Sequence, residues 1–451
     1  MSNRRVVLLS YYFPPYATVS VFRALRFCRH LQEAGWDPAV VTSEAERGEV
    51  AWDENLLRQV PEGLIIRRCP LFRREEQIKA WLGSGRPTAA DRSEKAPGAD
   101  RPVAGQPTWR NLVSELCFAV PDNKVGWRRT AGLATEQLVR ERNAEVIFAS
   151  GPPFSVHLAA LDASRRTQVP LVLDFRDPWS RDPWGRRAKS QLAQWRHVAM
   201  ERTCVREARR VILNTERMAD EFRRFYAGQP ADKFVCIPNG FDGHGVDEGL
   251  APPPWGENES TRPARFLHPG TLYGQRDPGV LLKAIKRVNQ RGTARVEFEQ
   301  LGSCERRAEV EAVVSAESLA DCVRISPPLP HRQALEQMAL ADVFVIIQQG
   351  TTLQVPGKLF EMLPFRKPIL AFVDEGATAD LIRKYGLGFI APPKDLEATA
   401  KALEAAQAAA RSGELRNNFD AAIEVYDGRK LTARLGRELD VVAAECQASR
   451  S

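Results

Sequence analysis

Hydrophobic positions in the first half of the chain form short continuous runs that alternate with longer amphipathic stretches. Residues 5–10 form one such run, and its continuity predicts a strand that is buried on both faces of a parallel sheet. Residues 21–34 then show helical periodicity, which ends at Gly35. Residues 38–42 are apolar again. The order strand, loop, helix, strand predicts the beginning of a doubly wound α/β sheet.

This alternation continues through the first half and begins again at Ala264. The pattern predicts further strands at residues 64–68, 146–149, 171–175, 210–214, 234–237, 264–268, 296–301, 323–326, 343–347, 368–372 and 388–391. It predicts helices at residues 126–142, 154–166, 189–208, 219–225, 279–291, 305–315, 332–340, 358–363, 377–385 and 396–447. Parallel sheets bind ligands beyond the carboxyl ends of their strands, so two such sheets suit a two-part substrate. The predicted fold class is α/β, with two Rossmann-like domains facing a central cleft.

Two segments interrupt the alternation. Residues 83–108 contain four prolines and almost no large apolar residue, which predicts a disordered insertion. Residues 243–263 are rich in Gly, Pro and acidic residues, which predicts a linker. We therefore expect a first domain at residues 1–242, a second at 264–425, and a C-terminal helix within 426–451 that packs back on the first domain.

The composition narrows the class of protein. The chain has 451 residues, of which 43% are hydrophobic and 27% are charged, as in ordinary soluble globular proteins. No apolar run approaches the roughly 18 residues that a membrane-spanning helix needs. The first 20 residues have too short an apolar segment for a signal peptide, and no small-residue cleavage site follows it. We expect a cytoplasmic protein.

Positive charge is concentrated in one segment. The net charge of the chain is +7, and residues 181–226 hold twelve Lys or Arg against six Asp or Glu. Such a segment is either a solvated helix face or a surface that attracts membranes, nucleic acid or anionic substrates. Nucleic acid is not expected, because the sequence has no aromatic–basic RNA motif and no helix-turn-helix signature.

Short motifs follow several of the predicted strands. In the first half they are YYFPP at 11–15, SGPP at 150–153, DFRDPW at 174–179 and IPNGFD at 237–242. In the second half they are HPGTLY at 268–273, RDP at 276–278 and VPGKLFE at 355–361. This ordered series resembles the GT-B-fold glycosyltransferases of the family 4 type. The resemblance covers nearly the whole chain outside residues 83–108, and it implies a nucleoside-diphosphate sugar as the donor substrate.

The second half contains residue types that suit a diphosphate, which needs cations and backbone N–H groups. Gly270 at a predicted strand end allows close backbone approach, and Arg276 lies just before a predicted helix. Lys358 lies in the first turn of a helix that Pro356 and Gly357 introduce, where an anion is favoured. The resemblance implies that the second domain binds the donor and the first binds the acceptor.

Glu361 lies one turn after Lys358 and on the same helix face. The resemblance implies that its carboxylate accepts the ribose hydroxyls, while Arg276 and Lys358 stabilise the leaving diphosphate. The alternative is that Lys358 and Glu361 form only a surface ion pair.

The sequence departs from the family pattern around the donor. Leu353 stands eight residues before Glu361, where many family members have an acidic residue that contacts the sugar. Thr271 replaces an Arg that often follows the glycine of this motif. We therefore expect the sugar contacts to come from backbone groups of Gly350, Thr351 and Thr352. The predicted donor site also includes Gly270, Thr271, Pro356 and Gly357.

In the first half, Arg176 and Asp177 follow a predicted strand and are expected to point into the cleft near the reacting sugar. The alternative is a structural pair that caps the next helix. Ala17 and Thr18 replace a Gly-Gly pair of the family, and His157 is either functional or packed in the interior. The acceptor side of the cleft is expected to include Tyr12, Pro15, Ala17, Thr18, Ser150 and His157.

The resemblance implies a retaining glycosyltransferase of cell-envelope or polysaccharide biosynthesis, and we expect the protein to be peripheral on the inner membrane. Its acceptor would be a saccharide or a lipid-linked saccharide. No metal and no cofactor are expected, since no D-x-D motif occurs in its usual context and Arg and Lys can replace Mg²⁺. Two alternatives stay open: a nucleotide-sugar epimerase of the same fold, and a non-catalytic nucleotide- or sugar-binding protein.

Overall fold

A computed structural model describes residues 4–72, 120–181, 190–242, 262–292, 295–415 and 417–448. The chain divides into two compact units, of which unit 1 comprises Met1–Ile237 with Thr432–Ser451 and unit 2 comprises Pro238–Leu431. The predicted insertion at 83–108 and residues 243–261 of the predicted linker lie outside the described residues.

Unit 1 contains one parallel sheet of seven strands in the order β3-β2-β1-β4-β5-β6-β7. In chain order its elements are β1 (Arg4–Ser10), α1 (Val19–His30), β2 (Trp36–Ser43), a 3-10 helix (Glu54–Gln59), β3 (Ile65–Cys69), α2 (Trp127–Arg142), β4 (Val146–Gly151), α3 (Ser155–Thr167), β5 (Leu171–Phe175), α4 (Gln191–Glu207), β6 (Arg210–Leu213), α5 (Glu216–Phe225), a 3-10 turn (Ala231–Lys233) and β7 (Phe234–Cys236). The sequence pattern did not indicate the first 3-10 helix.

Unit 2 contains one parallel sheet of six strands in the order β10-β9-β8-β11-β12-β13. Its elements are β8 (Ala264–Pro269), α6 (Gly279–Arg291), β9 (Val296–Leu301), α7 (Arg307–Ala316), β10 (Val323–Ser326), α8 (His331–Leu340), β11 (Val343–Gln348), α9 (Gly357–Met362), a 3-10 turn (Leu363–Phe365), β12 (Ile369–Val373), α10 (Ala377–Tyr385), β13 (Gly388–Ala391), α11 (Leu396–Ser412) and α12 (Phe419–Tyr426). The last helix, α13 (Gly428–Ala448), begins in unit 2 and continues in unit 1.

The two sheets share one strand order over six strands, and this confirms the prediction of two Rossmann-like α/β sheets. In each sheet the order reverses beside the first strand, between β1 and β4 in unit 1 and between β8 and β11 in unit 2. Ligands of open α/β sheets bind beyond the carboxyl ends of the strands at such a reversal. We therefore expect the ligand-binding site of each unit at this edge of its sheet.

The strands at the reversals are buried on both faces, as their sequences require. Every residue of β4 and of β11 is buried, and the side chains of Val6, Val7, Leu8 and Leu9 in β1 are at most 1% exposed. This explains why the strands read as continuous apolar runs.

The C-terminal segment differs from the single helical stretch that its composition predicts. Gly413 ends α11 in the left-handed conformation, with φ of 68°. The Asn418 side chain then accepts a hydrogen bond from the N–H of Ala421 and caps α12. Residues 396–448 therefore form three helices.

The part of α13 that belongs to unit 1 is held by residues from distant parts of the sequence. Asp440 accepts hydrogen bonds from the indole of Trp36 and from Arg4, both at 3.1 Å. Gly436 lies so close to Ala34 that a Cβ there would be 2.7 Å from the Ala34 Cβ. This segment thus covers strands from the beginning of the chain. Within the described ranges, no helix has both the length and the apolar character that a bilayer crossing requires.

Candidate functional site

A buried ion pair supports the edge of the first sheet beneath its reversal point. Arg23 of α1 donates two hydrogen bonds to the Asp174 carboxylate, at 2.9 and 2.8 Å, and a third to the Ile237 carbonyl at 2.7 Å. Ser150 at the end of β4 donates to the same carboxylate at 2.6 Å. Arg23 is 2% exposed and Asp174 is fully buried. The two charges compensate one another and tie α1 to β4 and β5.

Arg176 follows β5 and lies directly at this edge. Its backbone N–H and its Nε both donate to the Gly151 carbonyl, at 3.0 and 3.2 Å, and a terminal nitrogen donates to the Pro152 carbonyl. Burial lowers the pKa of the guanidinium. Asp177 is half-buried, and its charge interacts favourably with the Arg176 guanidinium. The carbonyls of Gly151 and Pro152 hold the Arg176 side chain at this edge.

The loop after β1 is packed rather than open. Tyr12 is half-buried and makes edge contacts with Tyr11 and Tyr16, with ring centroids 4.9 and 5.4 Å apart. Pro15 is buried, and its carbonyl accepts the N–H of Asp53 at 2.9 Å. Ala17 donates to the Ala51 carbonyl at 2.8 Å, and Thr18 precedes α1 without capping it through its side chain. Burial raises the pKa of the Tyr12 phenol, and the Arg176 charge opposes that rise.

Two further residues predicted for the acceptor side lie in the interior. Ser150 is 1% exposed and donates to Asp174, as described. His157 is fully buried among aromatic rings, and its Nε2 lies 3.2 Å from the Asp174 carbonyl. Burial lowers the pKa of His157 to about 4, so the ring is neutral at pH 7. These contacts favour packing over a direct functional role for His157.

In unit 2, both the N–H and the carbonyl of Gly270 are hydrogen-bonded. Its N–H donates to the His268 and Leu301 carbonyls, at 3.1 and 3.0 Å, and its carbonyl accepts from Gln300 at 2.6 Å. A Cβ on Gly302 would lie 2.4 Å from the Gly270 oxygen. Gly270 is therefore fixed by the end of β9 as well as by its own strand.

His268 and Gln300 support this position, although neither was selected from the sequence. His268 lies beneath Gly270, and its Nδ1 is 2.8 Å from the Val345 carbonyl of β11. Burial, together with the nearby Arg276 charge, lowers its pKa to about 4. The only sequence signal was the position of His268 inside the HPG motif. The role of Gln300 depends on a contact 30 residues away, which no local pattern reveals.

Arg276 follows Gly270 in a short, hydrogen-bonded segment. Its guanidinium donates to the Thr271 carbonyl at 3.1 Å and stacks on the Tyr273 ring, 4.2 Å from the centroid. The next residue, Asp277, exchanges hydrogen bonds with the side chain of Gln349, which lies beyond β11. The structure thus joins the segments that follow β8 and β11.

The residues after β11 form a tight loop at the same edge. Gly350 has φ of 73°, and its N–H donates to Asp374 at 2.8 Å. Thr351 is 5% exposed, and its hydroxyl has no hydrogen-bond partner within the described part of the chain. The Thr352 carbonyl accepts the N–H of Ala377 at 2.8 Å. The hydrogen bonds between Asp277 and Gln349 join this loop to the segment that contains Gly270, Thr271 and Arg276, and the donor-binding roles of these residues stay predictions.

Lys358 and Glu361 form an ion pair on α9, with Nζ and Oε2 2.8 Å apart. Their side chains are 41% and 29% exposed. Pro356 precedes the helix and Gly357 begins it, but α9 has only six residues. Because the macrodipole grows with the number of aligned peptides, the Lys358 charge matters more here than the helix terminus. Within the described ranges, no group of three or more His, Cys, Asp or Glu could hold a metal ion.

Comparisons with known proteins agree with this architecture. The family model described as "Glycosyl transferase 4-like domain" matches residues 21–240, and the one described as "Glycosyl transferases group 1" matches residues 263–408. No curated protein sequence matches the chain.

Three solved structures show the same fold over nearly the whole length of both chains. Sucrose-phosphate synthase from Thermosynechococcus elongatus is 13% identical with a TM-score of 0.63, covering 98% of this chain and 100% of that one. HepE from Anabaena, solved with UDP, is 14% identical with a TM-score of 0.63, covering 97% and 100%. The lipopolysaccharide outer core galactosyltransferase WaaB is 11% identical with a TM-score of 0.58, covering 96% and 99%. Together with the two family models, these structures confirm the resemblance that the motifs indicated: the chain belongs to the GT-B-fold glycosyltransferases, with a family 4-like first domain and a group 1 second domain.

Proposed function

We propose that this glycosyltransferase moves a sugar from a nucleoside-diphosphate donor, bound by unit 2, to an acceptor bound by unit 1. The observation that carries the proposal is the hydrogen-bonded edge beyond β8 and β11. There Asp277 and Gln349 join the segment of Gly270 and Arg276 to the loop at Gly350. HepE was solved with UDP-glucose, which makes a UDP-sugar the first donor to test.

Lys358 and Glu361 would separate when the donor binds. An exposed pair of this kind stabilises the protein by only about 0.3–0.5 kcal/mol. A hydrogen bond to a charged group contributes about 1.5–3 kcal/mol. Exchanging the ion pair for a Lys358–phosphate contact and a Glu361–ribose contact is therefore favourable. The observed ion pair is compatible with the donor-site role.

Arg276 would act with Lys358 on the diphosphate as it leaves. Negative charge builds on the diphosphate as the glycosidic bond breaks, so the attraction of both cations grows toward the transition state. Backbone groups of Gly270, Thr271 and the loop 350–352 would contact the diphosphate and the sugar, and Pro356 and Gly357 would bring Lys358 into place. Retention of configuration is proposed from the resemblance to family 4 enzymes.

On the acceptor side, Arg176 and Asp177 would lie nearest the reacting hydroxyl, with Tyr12, Pro15, Ala17 and Thr18 shaping the adjoining loop. Ser150 and His157 would support this edge from below through Asp174.

We place the reaction in cell-envelope or polysaccharide biosynthesis, at a membrane surface on the cytoplasmic side. WaaB, which has the same fold, is a lipopolysaccharide outer core galactosyltransferase. Leu192 and Trp195 on α4 are 47% and 66% exposed, and Arg202 is exposed two turns after Trp195. Apolar and aromatic side chains beside Arg suit an anionic bilayer, where each basic residue contributes up to about 1 kcal/mol.

The test measures donor binding and turnover in variants of unit 2. Thermal shifts with UDP, GDP, ADP and their sugars identify the nucleotide. Glu361→Ala should weaken binding of donor and free nucleotide alike and act mainly on KM. Lys358→Ala and Arg276→Ala should lower kcat/KM by about two to three powers of ten, with kcat affected as well. Lys430→Ala, which breaks an exposed ion pair with Glu424, is the matched control.

Two results would contradict the assignment: an unchanged kcat in Lys358→Ala, or an unchanged nucleotide affinity in Glu361→Ala. Donor consumption without any acceptor would favour the epimerase alternative. Tight nucleotide binding without turnover on any acceptor would favour a non-catalytic protein.

A further inference from the structure

Two buried arginines of unit 1 form ion pairs with carboxylates. Arg23, which is 2% exposed, donates hydrogen bonds to both carboxylate oxygens of Asp174. Arg210, 9% exposed, contacts Glu445 at 2.8 Å and Glu438 at 3.5 Å. This is expected, because a buried charge without a counter-charge is costly. Arg176 is equally buried, at 7% exposed, and differs from both.

Within the described residues, the hydrogen bonds of the Arg176 guanidinium go to neutral oxygens. Its Nε and one terminal nitrogen donate to the Gly151 and Pro152 carbonyls. Its Nη1 is buried and has no hydrogen-bond partner in the part of the chain that the structure describes. The nearest carboxylate along the sheet, Asp174, is already occupied by Arg23 and Ser150. Among the described residues, one donor of Arg176 is therefore left over.

Arg176 also lies where a ligand of unit 1 would bind. It follows β5, Gly151 ends β4 and Tyr12 follows β1, so three neighbouring strands meet at the reversal of the sheet. Tyr12 and Arg176 are close enough to shift one another's pKa. Burial raises the pKa of the Tyr12 phenol, with Glu49 and Asp122 adding to the rise, so the hydroxyl remains a donor.

We propose that Arg176 and Tyr12 form a subsite for an oxyanion of the acceptor, a phosphate or a carboxylate group. This inference rests on the proposed function, in which unit 1 holds the acceptor. A guanidinium presents a planar fork of N–H groups that matches either anion, and hydrogen bonds between charged groups are stronger than those to carbonyls. The phenol of Tyr12 adds one further donor. An acceptor with a phosphate or a uronic acid group would supply the hydrogen-bond acceptor that Nη1 lacks within the described residues, together with negative charge.

Most of the carboxylates near the subsite are engaged by other groups. Glu49 is ion-paired with Lys124, and Asp174 is paired with Arg23. Asp122 accepts hydrogen bonds from the backbone and hydroxyl of Ser155. Asp177 is adjacent to Arg176 in the sequence, and its charge interacts favourably with the guanidinium.

The experiment titrates the full chain, saturated with UDP, with methyl phosphate and separately with acetate. Saturation with UDP excludes the donor site as a source of anion binding. The variants are Arg176→Gln, Tyr12→Phe and, as a matched control, Arg166→Gln, whose side chain forms a half-exposed ion pair with Glu136. Tryptophan fluorescence verifies that each variant is folded. Tyr12→Phe decides the matter if Arg176→Gln is not folded, because it leaves the guanidinium in place.

We expect the wild type and Arg166→Gln to bind at least one of the two probes equally well. Arg176→Gln should bind it at least tenfold more weakly, and Tyr12→Phe several-fold more weakly. Methyl phosphate alone would indicate a phosphate-bearing acceptor, and acetate binding would indicate a carboxylate. The proposal is overturned if the wild type binds neither, if both variants bind like the wild type, or if Arg176→Gln weakens UDP instead. A Glu361→Ala variant with unchanged UDP affinity would refute the donor assignment while leaving this subsite intact.

Discussion

Replacing Asp174 by Asn should destabilise unit 1 more than any change at its surface. The substitution keeps the shape of the side chain but leaves the Arg23 charge buried without a counter-charge, at 2% exposure. Breaking a buried ion pair by removing one partner costs about 3–5 kcal/mol. Single domains have a total stability of about 5–15 kcal/mol, so the loss is a large fraction. For a unit of this size it corresponds to a fall in Tm of roughly 6–20 °C.

The assay is urea unfolding followed by tryptophan fluorescence. Eight of the nine tryptophans precede Pro238, so their emission reports on unit 1. The matched control is Glu141→Gln, which removes an exposed ion pair with Arg67 at 3.0 Å and should cost at most about 1 kcal/mol. Ser150→Ala keeps the ion pair and loses one hydrogen bond, which should cost about 1–3 kcal/mol. If Asp174→Asn and Glu141→Gln had the same midpoint and slope, the ion pair would not carry the stability assigned to it.

Three further outcomes are expected. Gly302→Ala should reduce nucleotide affinity through Gly270, because φ of 137° and a contact of 2.4 Å leave no room for a Cβ; unchanged affinity in a folded variant would contradict this. Stability should fall as the pH drops from about 6.5 toward 4. His157 and His268 have folded pKa values near 4, so the unfolded chain takes up protons at a higher pH than the folded chain does. The free energy of unfolding should therefore decrease by up to about 3 kcal/mol for each histidine. Replacing either histidine by Gln should make the urea midpoint depend less steeply on pH across this range. An equally steep dependence would contradict the assignment of the pH effect to these histidines. Deleting residues 83–108 should leave Tm nearly unchanged in a melting experiment, whereas a cooperative loss of folding would show that they pack.

The fold was predictable because the signal for each strand is local. An apolar run such as β11 is buried along its whole length, and every strand predicted from the sequence is present to within two residues at each end. The 3-10 helix Glu54–Gln59 was missed, since a single short turn has no clear periodicity. The breaks between the last three helices depend on Gly413 and Asn418, which an Ala-rich composition obscures.

The candidate site was predictable only where its residues follow a strand. Arg176 and Arg276 come just after β5 and β8, and their motifs also carried the family resemblance that the comparisons confirm. The supports of the site were not predictable, because their partners are distant in sequence. Arg23 lies 151 residues before Asp174, and Gln300 lies 30 residues after Gly270. The roles assigned to the site residues remain predictions.

Because α13 returns to unit 1, that unit can complete its fold only after the end of the chain has been translated. Asp440, which accepts the Trp36 indole N–H, is made 404 residues after it. The roughly 200 residues of unit 2 are translated in between, which takes about 10–40 s at 5–20 residues per second. During that time the nascent first unit lacks its last helix, and the surface around Trp36 and Ala34 stays open to chaperones or to incorrect contacts. A chain that stops before Asp440 should therefore aggregate through its earliest-made part.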